Sequence, residues 1–461
     1  MKMKKLRSYI KIITVAVIVA SVGACKKQLD LKPFDQIDAS QAIRTEADVQ
    51  STLIGTYNRA GLAPVYGGDI FLLPDLLSTQ QIIDWAGTYQ DLTQMVSQQI
   101  PANNGFINSL WLGAYRINNQ ANYVLANLDK VTVANKNSVE GQAKFLRGMM
   151  YFDMARLFGK DWNDGSPTTN LAVPIVLAPT VEINDQSYPA RSTVAQVYAQ
   201  AIADLKDAEA KLGTGVSFYA NSYAASAILA RLYLQQGDWN NAATEANKVI
   251  AGGKYSLVSN YADEFPFPNQ SAVHVDNTSE DIFSIQVTSQ QGVNDLNTFY
   301  ASADYSGRGD IYLKDSFLAN FEAGDQRLAV YNEDSDGSLR VDKFDNLYGN
   351  VRVVRLAEMY LIRAEANLHL TTKVGTATPL QDVNIIRSRA GLNPRITVAL
   401  ADVYKERIRE LAFEGGFFLH DARRLKQSII GGEAWNSPKL VFPIPTLELN
   451  ANKNLIQNEG Y

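Results

Sequence analysis

Apolar residues recur at every third or fourth position over long stretches of this chain, the period of helices that bury one face. Val194, Val197, Tyr198, Ala201, Ile202, Leu205, Ala208 and Leu212 form one such stripe. Thr193 and Gln196 have the spacing of a capping box at its start. The stretch 221–253 predicts two helices: Ala224 to Gln236, a Gly237-Asp238 turn, then Trp239 to Ala251 closed by Gly252-Gly253. Ala230, Ala242 and Ala246 leave room for a neighbouring helix, and Tyr233 fills the space beside them. Gly148 and Tyr151 repeat that small-then-aromatic spacing in 139–159, whose partner is expected at 193–212 after a long insertion. Further pairs are expected at 40–60 with 107–129 and at 354–370 with 379–391. Between them the period is lost. Residues 61–106 and 160–191 are rich in Gly, Pro, Asn and aromatics, and 254–350 predicts short strands such as Asp281 to Val287 and Leu339 to Phe344.

Two helices in ~34 residues is the size of a tetratricopeptide unit. The expected fold is therefore mainly α: about four tetratricopeptide-like helix pairs with an interleaved, loop-rich region containing a few short strands. In a body spanning 41–461, the scaffold falls at about 41–60, 107–159, 193–253 and 354–391, and the irregular region at about 61–106, 160–191 and 254–350. Loops this long are uncommon without a role, because ordering them costs entropy, so a ligand is expected there.

The N-terminus changes the picture. Lys2, Lys4, Lys5, Arg7 and Lys11 precede an apolar run from Ile12 to Val22, broken only by Thr14 and Ser21. Val22-Gly23-Ala24-Cys25 follows. A basic start, a short apolar stretch and small residues before a cysteine describe a lipoprotein signal over 1–24, with Cys25 acylated and 25–40 a lipidated tether to the membrane. The run is short of the ~20 apolar residues that span a bilayer. Cys25 is the single cysteine, so no disulfide forms within the chain. A hydrophobic fraction of 46% and a charged fraction of 20% are those of a globular protein. A net charge of −5, with no basic run after the first dozen residues, argues against nucleic acid.

Several ordered stretches resemble the SusD/RagB family: Glu140 to Gly159, Arg191-Ser192-Thr193 with Val197-Tyr198 and Asp204-Leu205, Tyr360 to Ala366, and Asn384 to Leu392. The most distinctive is Glu406-Arg407 with Glu410-Leu411-Ala412-Phe413-Glu414-Gly415, within a C-terminal signature at 402–461 that ends Gln457-Asn458-Glu459-Gly460-Tyr461. After Phe413-Glu414-Gly415 the family usually has Arg and an aromatic, whereas here Gly416-Phe417-Phe418-Leu419-His420 follows. The resemblance implies a lipid-anchored, outward-facing protein of the outer membrane. Such a protein binds a glycan, or in some cases peptide, and passes it to a SusC-like TonB-dependent transporter. It implies no catalytic activity and no cofactor.

Sugar capture needs flat apolar rings and planar polar groups. Residues 61–106 supply Tyr66, Asp69, Asp84, Trp85, Tyr89, Asn103 and Asn104, with Asp84-Trp85 and Tyr89 the leading candidates. A second cluster is Tyr300, Asp304, Tyr305, Arg308 and Asp310. Trp111, Trp239 and Tyr233 follow the helical pattern and are expected in the core. Glu406, Glu410 and Glu414 are four residues apart and read as one helix face, paired with Arg407, Arg409, Arg423 and Arg424 rather than as a glycosidase pair across a cleft. His274, His369 and His420 are isolated, so no metal site is expected from them. Asn332, Asp334, Asp336 and Gly337 mimic half a calcium loop, but Lys343 stands where a glutamate is required, and a hairpin turn is the expected form. The rival readings are a surface glycosidase and a scaffold lipoprotein that uses its repeats for assembly.

Overall fold

The computed structural model describes residues 43–461 other than Gln291. The expected signal at 1–24, the expected acylation site Cys25 and the expected tether at 25–40 lie outside the described residues. In chain order the elements are α1 (Glu46–Ala60), α2 (Asp69–Ser78), β1 (Ile83–Trp85), α3 (Gln90–Val96), α4 (Gly105–Ala126), α5 (Val133–Phe158), α6 (Val194–Lys211), α7 (Ser222–Gln236) and α8 (Trp239–Gly252). They continue with β2 (Asp281–Ile285), α9 (Asp295–Tyr300), β3 (Ile311–Leu313), α10 (Asp315–Leu318), β4 (Val351–Arg355), α11 (Leu356–His369), α12 (Pro379–Arg389), α13 (Leu400–Leu411), α14 (Phe417–Arg424) and α15 (Thr446–Ala451). Among the described residues no helix is long and apolar enough to cross a membrane.

The four expected helix pairs are present: α1 with α4, α5 with α6, α7 with α8, and α11 with α12. α8 and α11 also pack together, which joins the last two pairs into one stack. Local chemistry sets their ends. Thr193 and Gln196 close a reciprocal capping box on α6, and Thr378 and Gln381 do the same on α12, whose first residue is Pro379. Gly237 ends α7 at φ +73°, a left-handed conformation that costs glycine little. Close packing explains the small residues: a Cβ at Gly148 would sit 3.0 Å from Asp204 and Leu205 of α6. Trp111 and Tyr233 are core residues. Trp239 is only partly buried and stacks on His369 at 3.9 Å.

The irregular stretches hold more structure than their sequence shows. Within 61–106 lie α2, all ten residues of which are buried, and the short α3. α2 reads as an undifferentiated apolar run and carries Pro74, so it shows no helical period. Strands form two antiparallel pairs, β1 with β3 and β2 with β4. The strand expected at Leu339 to Phe344 is absent. Leu339 makes a single bridge to Glu333, and Asp342–Phe344 is a 3-10 turn. The turn at 334–337 forms as expected, with Gly337 at φ +76°. Asp334 and Asp336 face Arg340 at 3.3 and 2.6 Å.

The acidic stripe corrects its expected geometry and partners. α13 stops at Leu411, and Phe413 turns the chain at φ +66°, so Glu414 lies beyond the helix. Glu410 receives Arg355 at 2.7 Å, Arg327 at 3.2 Å and also Arg389. Glu414 binds Arg355 and Lys343, each at 2.6 Å, and Glu406 binds Arg327 at 2.6 Å. Of the neighbouring arginines only Arg409 reaches the stripe, at 3.5 Å from Glu406. Arg407 pairs with Asp421, Arg424 with Asp421 and Glu365, and Arg423 donates to the carbonyls of Arg156 and Gly159. Burial opposes charge on Glu410, but Arg389, Arg355 and Arg327 outweigh it and hold its pKa well below the carboxylate range. Gly416, just after the motif, has φ +64°, and a Cβ there would come within 2.5 Å of Pro74, so this glycine seats α14 against α2.

Candidate functional site

Two sequence-distant clusters meet through the β1–β3 pair. Trp85 lies opposite Ile311 in the register, and the Ala86 amide donates to the Asp310 carbonyl at 2.8 Å. The guanidinium of Arg308 is thereby set over the ring of Tyr89, 4.9 Å from its centre. Its Nε donates to Asp310 at 2.8 Å, and its terminal nitrogen reaches the Thr88 hydroxyl at 3.3 Å. Trp85 donates its indole N–H to the Thr93 hydroxyl at 3.0 Å. Gly87 lies flat against the indole, where a Cβ would be 2.3 Å from the ring. Phe299, buried beneath, has its ring 6.3 Å from Trp85, 6.0 Å from Tyr89 and 6.4 Å from Phe106. Tyr89 keeps 44% of its surface open to solvent. The result is an aromatic shelf with one cation stacked on it and amphipathic ring edges facing water.

The remaining sequence candidates divide. Asp84 is exposed and pairs with Lys314 at 3.1 Å. Asn103 is exposed at the entry to α4. Asp304 is exposed and accepts from the Ser335 amide at 3.2 Å. Tyr305 is partly buried, edge-on to Phe267 at 5.4 Å. Four candidates are corrected by burial. Tyr66 is 1% exposed and donates its hydroxyl to Asp153 at 2.5 Å. Tyr300, also 1% exposed, donates to Asp75 at 3.3 Å. Burial pushes Asp75 up to about 8, against the opposing pull of Tyr300 and Lys343. Asp69 is 3% exposed, and burial with Asp295 nearby pushes its pKa far up. Asn104 caps α4 at the Ile107 amide and donates to the Asp91 carbonyl at 2.9 Å, fastening α3 to α4. None of these side chains offers open surface, and those of Tyr66, Tyr300 and Asn104 tie neighbouring segments together. Asp310 is likewise buried and serves to fix Arg308.

A second feature lies along α4. Side chains along α4 strap down the arch 174–189. Tyr115 donates to the Pro174 carbonyl at 2.8 Å, Asn122 to Val176 at 2.9 Å, and Tyr123 to Thr180 at 2.8 Å. Asn119 accepts the Thr180 amide at 2.9 Å. Between the arch, α4 and the C-terminal segment around Glu448 lies a cleft of about 710 Å³. The signal available beforehand was the stripe Tyr115, Asn119, Asn122, Tyr123 on one helix face, polar where a core helix should be apolar. A second cavity, of about 510 Å³, is lined by Tyr57, Phe218, Tyr219 and the end of β2.

Among the described residues no group of three His, Cys, Asp or Glu is placed to hold a metal ion. His420 is buried, and burial with Arg156, Arg423 and Arg231 around it pushes its pKa far down. His274 shares a hydrogen bond with the Val287 carbonyl at 2.7 Å.

Helix pairs that display an aromatic, polar loop surface make this a protein of the helical-repeat class. Residues 28–234 match the family described as starch-binding and associating with the outer membrane, and residues 341–461 match the SusD family. The chain belongs to the SusD/RagB family. The SusD-like protein P2 of Formosa agariphila is 26% identical over 97% of this chain and 99% of its own length. The starch-binding protein SusD of Bacteroides thetaiotaomicron is 22% identical over the whole of both chains. Among solved structures, a putative sugar binding protein from Bacteroides vulgatus superposes with a TM-score of 0.79 at 27% identity, covering 91% of this chain and 99% of that one.

Proposed function

We propose that this chain captures a glycan on the outer membrane surface at the Trp85–Tyr89–Arg308 shelf, without altering it, and delivers it to a TonB-dependent transporter while anchored through lipid on Cys25. The observation that carries the reading is the convergence of the two clusters: residues more than 200 positions apart meet at one solvent-facing aromatic surface. The water-facing edges of Tyr89 and Trp85 supply apolar contact for sugar C–H groups, and Arg308, Asn103 and Asp84 supply donors and acceptors for hydroxyls. Two relatives point the same way by name, one as starch-binding and one as putatively sugar-binding. The helical faces, in this reading, meet the transporter, as repeat surfaces commonly meet proteins.

A glycan array probed with the full chain in mild detergent tests the capture step. Binding to at least one glycan family is expected, with no change in the glycan recovered afterwards. Cleavage of the bound glycan, abolished by one carboxylate substitution, would establish a glycosidase instead. Purification from native membranes is expected to recover a large barrel protein in the same complex. A lone chain recovered together with an empty array would leave only the scaffold reading.

A further inference from the structure

We propose that the cleft under the arch 174–189 is a second saccharide subsite, one that takes the end of a chain or a short oligosaccharide. The proposal rests on the glycan-capture reading and adds a site to it. The cleft of about 710 Å³ lies in the 300–1,000 Å³ range typical of small-molecule sites. By contrast, the shelf is open to solvent, with Tyr89 44% exposed.

The accessible lining has the composition that sugar recognition requires. Tyr115 gives an aromatic surface that is still partly exposed, and Arg116, Gln186, Glu182 and Glu448 give a guanidinium, an amide and two carboxylates. Arg116 is exposed and makes no ion pair among the described residues, so its donors are available to a ligand. Glu448 is half-buried and its pKa is raised by burial, although Trp111 hydrogen-bonds it and pulls the other way. Beneath the floor, Asn118 is fully buried, and neither polar atom of its carboxamide makes a well-formed hydrogen bond. Its carboxamide lies beside the Tyr151 hydroxyl. A buried amide left so poorly paired is costly, and structures keep such groups where a bound group or water completes the site.

The walls are preset. Tyr115, Asn119, Asn122 and Tyr123 pin one end of the arch to α4, and Asn452 donates to the Pro189 carbonyl at 2.8 Å at the other. A ligand therefore meets a formed cleft and loses little affinity to ordering it. Closed on three sides, it suits a chain terminus, whereas the shelf can lie along the middle of a polymer. Val181, 52% open, lines the cleft and gives it an apolar contact for the C–H faces of sugar rings.

The test is calorimetric titration of the full chain in detergent with maltotriose, xylotriose and laminaritriose, and with the polymer that scores best on the array. Three forms are compared: the native protein, Trp85→Ala with Tyr89→Ala, and Arg116→Ala with Gln186→Ala. Both cleft positions are exposed, so thermal melting should confirm that this form stays folded. The subsite predicts that at least one trisaccharide still binds the shelf variant and loses about tenfold in affinity in the cleft variant. Trisaccharide binding unchanged in the cleft variant would overturn the subsite and leave capture at the shelf standing. If the cleft variant keeps every saccharide affinity but loses the barrel partner in membrane purifications, the cleft is a protein-docking site and the proposal is wrong. Absence of any saccharide binding by native protein would sink both readings together.

Discussion

The buried lattice around Glu410 and the shelf around Tyr89 are made of the same materials, arginines beside carboxylates and aromatic rings, yet they do opposite work. In the lattice every charge is enclosed and matched: Arg355 sits 2% exposed among Glu280, Glu410 and Glu414, with Tyr261 packed against it. On the shelf a single arginine, 39% exposed at its side chain, lies over a half-open tyrosine. The lesson is that the chain's most distinctive motif is architectural. Glu406 to Gly415 fixes the C-terminal helices, and the groups free to meet a ligand come from stretches with little pattern of their own.

The largest effect should come from the lattice. Glu410→Ala leaves Arg355, Arg389 and Arg327 short of a buried partner, and removal of one member of such a group costs about 3–5 kcal/mol. Urea denaturation should show that loss or a failure to fold, and a change below 1 kcal/mol would mean the lattice is not what holds α13.

Next comes a place where charge is unmatched. Asp345 is 6% exposed, and its pKa is pushed up to about 9 by burial, with Asp342 and Asp334 adding to it. A carboxyl whose folded pKa is raised holds its proton in the folded state while the unfolded chain has lost it. It therefore costs stability as pH rises from the ordinary carboxylate value towards about 9. Asp345→Asn should stabilise the protein by on the order of 2 kcal/mol at pH 8 and by little at pH 4. Melting curves at the two pH values would show a gap, and an equal shift at both would locate the effect in packing.

The shelf itself should be worth more in affinity than in stability. Trp85→Ala with Tyr89→Ala is expected to lose about tenfold or more of glycan affinity, ~1.4 kcal/mol, measured by titration of the array's best ligand. The smallest effect belongs to Lys314→Ala. Its pair with Asp84 is 3.1 Å long but 36% and 50% exposed, and such pairs contribute about 0–1 kcal/mol. A melting shift beyond that range would show that the shelf's rim is held more tightly than its exposure implies.

What could be read from sequence followed from the reach of each interaction. The helix pairs were legible because their signals are local: the stripe Val194 to Leu212, the capping box at Thr193, the turn at Gly237. α2 was hidden because its residues are buried all round, leaving no period to detect. β1 and β3 have three residues each, and only their pairing makes them strands. Tyr89 and Arg308 carry ring and guanidinium chemistry that their exposure leaves open. Tyr66 and Tyr300 offered the same chemistry, but their hydroxyls are taken by Asp153 and Asp75, 87 and 225 residues away. No local pattern reveals a partner at that distance. The arch 174–189 was identified only as irregular chain, since its walls exist through bonds to α4.

The most direct test of glycan capture is a crystal structure of the protein with the best array ligand bound. The account predicts a sugar ring against Tyr89 and Trp85, with hydroxyls within hydrogen-bonding distance of Arg308 or Asn103. Ordered glycan elsewhere on the molecule, with the Tyr89 shelf bare at saturating ligand, would contradict it.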